Sequence, residues 1–145
     1  MNNDSSSPGR VLLIDDEPSL QTLVTALLDR AGIPVVSADT AADGLYLLQT
    51  GDFDLLILDL MLPDMDGLEL LDKLRQDSRL RSLSVLILSA RSDPEAIGKA
   101  MKLGADGYLT KPYVSLSLVQ RVSALLAHKR GRTVRSETGQ VPPNG

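Results

Sequence analysis

Short runs of aliphatic residues recur along the chain, and each run gives way to polar or charged residues. The clearest run covers residues 55–58 (Leu-Leu-Ile-Leu) and stops at Asp59. Four consecutive apolar residues predict a strand that is buried on both faces, and such a strand cannot hold an unpaired carboxylate in its middle. Asp59 is therefore expected at the carboxyl end of a central strand. The same pattern predicts five strands, over residues 11–14, 34–38, 55–59, 85–88 and 107–110.

The segments between and after these strands carry apolar residues at the spacing of amphipathic helices. The helix predicted over residues 93–103 has few residues that could turn inward, namely Ile97, Ala100 and Met101. We therefore expect this helix to be lightly anchored. Strands that alternate with helices over short loops predict an α/β protein of the flavodoxin-like type. Its fold is a doubly wound (βα)5 parallel sheet with strand order 2-1-3-4-5.

The composition suits a single globular domain. The chain has 145 residues, of which 43% are hydrophobic and 23% are charged. Because it contains no cysteine and only one histidine, His128, disulfides, thiolate nucleophiles and metal sites built from Cys or His are excluded. No apolar run approaches the roughly 20 residues of a membrane span, and the N-terminus lacks the parts of a signal peptide. We therefore expect a cytoplasmic protein.

The two ends of the chain differ in composition from its centre. Residues 1–9 are polar and are predicted to be disordered, whereas residues 129–145 are basic and Pro/Gly-rich, which is typical of a tail or a linker stump. The predicted domain covers residues 10–128. The last segment holds four of the fifteen basic residues but one of the nineteen acids, which leaves a net charge of −7 on residues 1–128. This acidic balance argues against a domain that binds nucleic acid by its own surface.

Acidic residues follow two strands that the predicted topology makes neighbours. Asp15 and Asp16 follow the first strand and Asp59 follows the third, so the three carboxylates should meet at the sheet edge where open α/β folds bind ligands. Like charges repel by about 4 kcal/mol at roughly 4 Å and an effective dielectric of about 20. The cluster therefore predicts a hard divalent cation, Mg²⁺ or Mn²⁺. Considered alone, Asp59 fits a loop acid or a helix cap about as well as it fits a ligand-binding residue.

Two further strands end near this predicted cluster. Ser89 follows the fourth strand and offers a hydroxyl group, and Lys111 follows the fifth and offers a cation. A metal ion, a hydroxyl and an ammonium group around one accessible carboxylate are the groups needed to stabilise phosphoryl transfer onto that carboxylate. The pattern therefore indicates a covalent aspartyl-phosphate at Asp59.

Four short motifs stand at predicted strand ends, in chain order. They are Leu-Ile-Asp15-Asp16-Glu17-Pro18, Leu-Asp59-Leu-Met-Leu-Pro63-Asp64-Met-Asp66-Gly67, Leu-Ser89-Ala90 and Gly104-Ala105-Asp106-Gly-Tyr108-Leu-Thr-Lys111-Pro112. With these motifs, residues 10–128 resemble the receiver domain of bacterial two-component response regulators, including the chemotaxis receivers. One such motif would be weak, but four in the right order leave little room for chance.

The resemblance implies roles for several of these motif residues. Asp59 would be the phosphoacceptor, and the ligands of Mg²⁺ would be Asp16 directly, Asp15 mostly through water, Asp59, and Met61 through its backbone carbonyl. Ser89 and Lys111 would hold the phosphoryl oxygens. Tyr108 would be an aromatic switch residue, and the bond between Lys111 and Pro112 would be a cis peptide.

Each of these residues also has a plainer interpretation. Tyr108 fits a core aromatic residue with its hydroxyl near the surface. Lys111 fits a solvated loop lysine, and Ser89 fits the cap of the following helix. The remaining motif residues fit loop and cap positions without chemistry, and we retain that interpretation for them: Pro63, Asp64, Asp66 and Gly67.

The favoured function is a phosphorylation-controlled signalling switch rather than an enzyme. Such a module takes a phosphoryl group from a histidine kinase or a phosphotransfer protein and slowly hydrolyses it. One alternative is a phosphohydrolase or phosphotransferase with Asp59 as nucleophile, resembling the haloacid-dehalogenase-like enzymes, although those need a second acid where Met61 stands. Another is a receiver-fold scaffold that works without phosphorylation, although such a scaffold would normally have lost one of the acids or the lysine.

The output of such a switch has to come from protein contacts. No DNA-binding or enzymatic domain fits into the residues after 128, so the protein acts alone or is a receiver cut from a longer chain. We expect residues 93–128 to form the face that contacts an output domain or a partner protein, with a phosphorylation-dependent dimer left open. Direct contact with nucleic acid or a membrane is not expected.

Overall fold

The structure, a computed structural model, describes the backbone of residues 9–111 and 116–138 and the side chains of residues 9–111 and 117–128. Five strands and five helices alternate along these residues. The strands are β1 (Val11–Ile14), β2 (Val35–Ala38), β3 (Leu55–Leu58), β4 (Ser84–Ser89) and β5 (Gly107–Thr110). The helices are α1 (Pro18–Arg30), α2 (Ala41–Thr50), α3 (Gly67–Gln76), α4 (Pro94–Lys102) and α5 (Leu116–Thr138).

The sheet is parallel throughout, with the order β2-β1-β3-β4-β5. Ile14 pairs with Ala38 on one side and with Leu58 on the other, so β1, β2 and β3 end at the same level. The ladder continues for one more residue, because Asp15 N donates to Ala38 O at 3.1 Å and Asp59 N donates to Ile14 O at 3.0 Å. The predicted fold and strand order are confirmed, and the residues that follow the strands lie side by side.

Amphipathic helices cover both faces of this sheet. Helices α1 and α5 pack on one face, through Leu20, Val24, Leu28, Leu118, Val122 and Leu126. Helices α2, α3 and α4 pack on the other face, where the largest buried side chains come from α2 and α3. All residues of β1 and β3 are buried, and alternate ones face opposite layers. A strand covered on both sides must be apolar at every position, which is why unbroken aliphatic runs marked the strands.

Helix α4 is held to the sheet by small side chains. Its buried residues are Ala96 and Ala100, which agrees with the expectation of a lightly anchored helix. The predicted inward position of Met101 is wrong, since its side chain is 45% exposed. Residues four positions apart lie on the same face of a helix. Ala96 and Ala100 therefore share the buried face of α4, and Met101 lies outside it. Gly98, in the middle of α4, has no atom within 4 Å of the position that a Cβ would take.

The last helix is longer than the apolar pattern predicted. Helix α5 continues to Thr138 and so includes residues 129–138 of the predicted tail. Apolar spacing marks only the apolar face of a helix. The mainly polar sequence of residues 129–138 has no such spacing, although polar residues with good helix propensity can extend a helix. Gly9, predicted to belong to the disordered lead-in, is buried. Residues 1–8 and 139–145 lie outside the described residues, and the division into lead-in, domain and tail stays a prediction.

Candidate functional site

The carboxyl edge of the sheet brings three acidic side chains together. One carboxylate oxygen from each of Asp15, Asp16 and Asp59 lies within 4.8 Å of the other two. Asp15 and Asp59 are buried, whereas Asp16 is exposed. The convergence that the strand order predicted is therefore present, with two acids recessed and one open to solvent.

Lys111 lies among these acids. Its Nζ is 2.9 Å from Oδ2 of Asp15, 2.9 Å from Oε1 of Glu17 and 3.1 Å from Oδ2 of Asp59. The backbone N–H of Lys111 donates to Ser89 O at 2.8 Å, so the ladder between β4 and β5 fixes where the side chain begins. Because the Lys111 side chain is only 16% exposed, its interpretation as a solvated loop lysine is wrong.

Burial and charge act against each other in this cluster. Burial favours a neutral Lys111, but the three carboxylates around the ammonium outweigh burial and raise the pKa of Lys111. Burial raises the pKa of Asp15, and the charge of Asp59 adds to this rise. The hydrogen bond from Glu17 N to Asp15 Oδ1, at 2.9 Å, and the contact with Lys111 oppose it. The site thus contains more negative charge than its single lysine neutralises.

The acid cluster fits a divalent cation. Oδ2 of Asp15 is buried and accepts no hydrogen bond from the described residues, although Nζ of Lys111 is 2.9 Å away. The contact between these two groups is therefore one of charge without hydrogen-bond geometry, and the oxygen keeps its capacity as a ligand. Carboxylate oxygens are the donors that Mg²⁺ and Mn²⁺ prefer.

Two donors orient the carboxylate of Asp59. The N–H of Met61 donates to Oδ1 at 3.1 Å, and Nζ of Lys111 donates to Oδ2 at 3.1 Å. Met61 also forms an isolated antiparallel bridge with Asp66, which folds the loop between β3 and α3 back on itself. The Met61 side chain is 56% exposed, so the contact of this residue with the site is made by its backbone.

Ser89 and Tyr108 meet at the loop between β4 and α4. Oγ of the fully buried Ser89 accepts from Arg91 N at 3.3 Å, and the hydroxyl of Tyr108 donates to Arg91 O at 2.7 Å. The N-cap of α4 is Asp93, whose carboxylate accepts from Ala96 N at 3.1 Å. The interpretation of Ser89 as the cap of this helix is therefore wrong. Tyr108 is partly buried, and its hydroxyl is held by a backbone carbonyl.

Two residues that received no role in the sequence analysis contact the site. Glu17 pairs with Lys111, and its position directly after the acid pair was the available signal. Gln21 Nε2 donates to Asp15 O at 2.5 Å and to Asp39 Oδ1 at 2.8 Å. No sequence signal marked Gln21, because Asp39 is 18 positions away and belongs to another loop.

Comparison with known families places these features in context. The family model described as "Response regulator receiver domain" matches residues 11–123. The chain belongs to this family. The receiver domain is accordingly a phosphorylation-controlled module of two-component signalling and not a true enzyme. None of the helices within its described residues is both long and apolar enough to cross a membrane.

Several relatives of this receiver domain are transcriptional regulators by name. The transcriptional regulatory protein CusR of Escherichia coli (strain K12) is 39% identical over 129 residues, which are 89% of this chain and 55% of CusR. The alkaline phosphatase synthesis transcriptional regulatory protein PhoP of Bacillus subtilis (strain 168) is 36% identical over 117 residues, 81% of this chain and 48% of PhoP. The chain thus spans about half the length of the curated relatives it matches.

Solved receiver domains match over nearly their whole length. The Francisella response regulator 1452 receiver domain is 32% identical with a TM-score of 0.77, and the match covers 83% of this chain and 98% of that one. The CheY-like receiver domain protein from Methanospirillum hungatei JF-1 is 27% identical with a TM-score of 0.80, and the match covers 85% of this chain and 97% of that one. The matched part of this chain therefore includes almost all of each solved receiver domain.

Proposed function

We propose that Asp59 is the phosphoacceptor of this receiver domain. The carrying observation is that its carboxylate is buried among Asp15, Asp16 and Lys111 and is oriented by the N–H of Met61. An oxygen of Asp59 attacks the phosphorus atom of a phosphohistidine, and a new P–O bond forms. The P–N bond breaks, and its electron pair stays on the histidine nitrogen, which takes up a proton. The donor would be a sensor histidine kinase or a phosphotransfer protein.

The proposed cation site consists of Asp15, Asp16, Asp59 and the backbone carbonyl of Met61. Asp16 would be the direct ligand because it is the exposed acid, and Asp15 would act mostly through water. The buried and unbonded Oδ2 of Asp15 supports a cation at this position. When bound, Mg²⁺ or Mn²⁺ would neutralise the carboxylates and stabilise charge on the phosphoryl oxygens.

We propose that Lys111 and Ser89 bind the phosphoryl oxygens. Lys111 stays protonated because its pKa is raised, and its Nζ already lies 3.1 Å from Asp59 Oδ2. It therefore needs only a small shift to exchange a carboxylate oxygen for a phosphoryl oxygen. Ser89 Oγ accepts from Arg91 N, which leaves its O–H free to donate. The same groups would support a slow hydrolysis of the aspartyl-phosphate by water.

The proposed switch runs from Ser89 to Tyr108. Both residues contact Arg91, so a movement of Ser89 toward the phosphoryl group would displace the carbonyl that holds the Tyr108 hydroxyl. Helix α4 follows this loop and buries only alanine side chains, so its displacement would break few contacts. The cis peptide between Lys111 and Pro112 stays a prediction, since Pro112 lies outside the described residues.

We propose that the whole protein is a cytoplasmic response regulator whose output lies beyond the receiver domain. The relatives CusR and PhoP carry names of transcriptional regulators and are about twice the length of the matched segment. Residues 93–128 would contact the output domain or a partner protein, including a second copy of the chain. The net acidity of the receiver domain disfavours direct binding of DNA by the domain itself.

Labelling with a small phosphodonor tests the phosphoacceptor. Acetyl phosphate with Mg²⁺ should add one phosphoryl group to the wild type and none to Asp59→Ala, as measured by intact-protein mass spectrometry. Asp43→Ala, which removes an exposed acid outside the cluster, is the matched control and should be labelled like the wild type. Equal labelling of wild type and Asp59→Ala would remove Asp59 from its proposed role.

Metal titration tests the assignment of the two neighbouring acids. Asp16→Ala should nearly abolish metal-dependent phosphorylation, whereas Asp15→Ala should only weaken it, because a direct ligand contributes more than a ligand that acts through water. The opposite order in Mg²⁺ affinity would overturn the assignment.

Hydrogen exchange tests the proposed switch. Beryllofluoride stands in for the phosphoryl group on Asp59, and exchange with and without it should change most between Ala90 and Tyr108. Changes centred on residues 20–50 would instead assign the switch to a different pair of helices.

A further inference from the structure

The loop between β3 and α3 is tied to the first turn of α2 through one carboxylate. Oδ1 of Asp64 accepts from Ala41 N at 2.9 Å, and Oδ2 accepts from Ala42 N at 3.0 Å. The N-cap residue Thr40 accepts from Asp43 N at 3.0 Å. A helix begins with N–H groups that lack partners inside the helix. Two of them are satisfied here by Asp64, which is more than 20 positions away in the chain.

The segment that Asp64 binds is also tied to the other acidic loop. Gln21 Nε2 donates both to Asp15 O, at 2.5 Å, and to Asp39 Oδ1, at 2.8 Å. Residues 39–42 therefore lie between the loop that carries Asp15 and the loop that carries Met61. Each of these loops is fastened to residues 39–42 by directed hydrogen bonds of one side chain.

We infer that Asp64 is a positioning residue for the cation site: by fastening the loop of residues 60–66 to α2, it sets where the backbone of Met61 lies relative to Asp15 and Asp16. The inference deepens the proposed function and rests on it, because Met61 is a proposed ligand there. Asp64 itself touches neither the acids nor the phosphoacceptor in the contacts described above. It would act through the loop.

Other contacts of this loop do not replace the Asp64 bonds. The hydrogen bond from Met61 N to Asp59 Oδ1 and the bridge between Met61 and Asp66 lie within residues 59–66, so they shape the loop but do not tie it to α2. Leu62 and Met65 pack partly against the core, but apolar contact has no preferred direction and allows the loop to slide. Two hydrogen bonds to a charged acceptor fix both distance and angle. The same two N–H groups lower the pKa of Asp64, so the carboxylate is charged at neutral pH and both bonds are kept.

A comparison of three variants separates positioning from simple helix capping. Asp64→Ala removes the two bonds to α2, Thr40→Ala removes the N-cap bond of the same helix, and Asp43→Ala removes a charge from the same turn. Mg²⁺ affinity is measured by calorimetry, and thermal stability is measured without metal. Thr40→Ala and Asp64→Ala should both lower the melting temperature, because each leaves N–H groups of α2 without a partner.

Only Asp64→Ala should weaken Mg²⁺ binding. We expect its Kd to rise about three- to tenfold, less than the 10- to 100-fold loss typical of a group bonded directly to a ligand. Thr40→Ala and Asp43→Ala should stay within about twofold of the wild type, since an exposed charge contributes little. Asp64→Asn keeps one side-chain acceptor and should fall between Asp64→Ala and the wild type. If Asp64→Ala bound Mg²⁺ as tightly as Thr40→Ala does, Asp64 would only cap α2, and the inference would be overturned.

A measurement without metal distinguishes failure of this inference from failure of the proposed function. Hydrogen exchange of the Met61 N–H, which donates to Asp59 Oδ1, should speed up in Asp64→Ala and stay unchanged in Thr40→Ala. If the wild type bound no Mg²⁺, or if Asp16→Ala left its affinity unchanged, the proposed function would fail. Unchanged Met61 exchange in Asp64→Ala would overturn the positioning role whether or not the metal binds.

Discussion

Replacement of Gly67 by alanine tests how tightly α3 begins against the phosphoacceptor. Gly67 is the first residue of α3, and its N–H donates to Leu60 O at 2.9 Å. A Cβ at this position would lie 2.5 Å from Leu60 Cα and 2.7 Å from Asp59 O. Both atoms belong to the backbone, so no side chain can rotate away. Gly67→Ala must therefore push α3 away from the strand end or displace Asp59.

The expected loss of stability is the difference between two terms. Carbon atoms in contact prefer a separation of about 3.5–4.0 Å, so the added Cβ overlaps Leu60 Cα by about 1 Å. Overpacking in a rigid environment costs typically about 1–3 kcal/mol, and backbone contacts favour the upper end. Alanine regains about 0.5–1 kcal/mol over glycine in a helix. We expect Gly67→Ala to lower the free energy of unfolding by about 2 kcal/mol.

Gly98→Ala provides the matched control within the same chain. Gly98 lies inside α4, is exposed, and has open space where a Cβ would be. Alanine should therefore raise the free energy of unfolding by about 0.5–1 kcal/mol. The two glycine-to-alanine changes should differ by about 3 kcal/mol in urea unfolding followed by circular dichroism, with unchanged slopes. Equal stabilities of the two variants would refute the close approach at Gly67.

Three further changes probe the acid cluster, the loop contacts and the core. Burial raises the pKa of Asp15, so the folded state binds the proton more tightly and wild-type stability falls as pH rises from 3.8 through the raised pKa. In the absence of metal, Asp15→Asn should therefore be more stable than the wild type at pH 7. This difference in stability should vanish near pH 3.8, the usual carboxyl pKa. An Asp15→Asn variant less stable than the wild type at pH 7 would contradict this prediction. Arg75 donates to three backbone carbonyls, so Arg75→Met should lower the free energy of unfolding, measured in urea, by about 2–4 kcal/mol. Arg81 is an exposed arginine and serves as the control. An equal loss in Arg81→Met would show that the hydrogen bonds of Arg75 do not stabilise the fold. Leu56 is fully buried in β3, so Leu56→Ala should lower the free energy of unfolding by about 2–5 kcal/mol. Leu23 is 46% exposed, so Leu23→Ala should lower it by less than about 1 kcal/mol in the same assay.

The strand ends of this fold could be predicted because burial on both faces leaves a strong signal. Each inner strand needs an unbroken aliphatic run, and the first polar residue after the run marks the edge of the sheet. Strand order then follows from short right-handed connections. Asp15 and Asp59 were assigned to one site on these grounds, as was Lys111. Their convergence needed no knowledge of side-chain conformation.

The buried face of a weakly amphipathic helix was harder to predict. In α4 the buried face consists of Ala96 and Ala100, and the larger Met101 points to solvent. A hydrophobic pattern favours the larger apolar residue, so it failed for Met101 in a helix whose buried residues are alanines. The length of α5 was missed because the mainly polar residues 129–138 carry no apolar spacing.

The sequence by itself determined the sheet, its order and the set of residues at its carboxyl edge, because apolar runs and short connections act locally along the chain. Only the tertiary structure decided which of these residues pair. Lys111 contacts Glu17 across 94 positions, and Asp64 binds Ala41 across 23. Such contacts depend on the distance and angle between two particular groups, and neither group leaves a periodic signal in the sequence. The chain pattern therefore specified the location of the site, and side-chain packing specified its internal bonds.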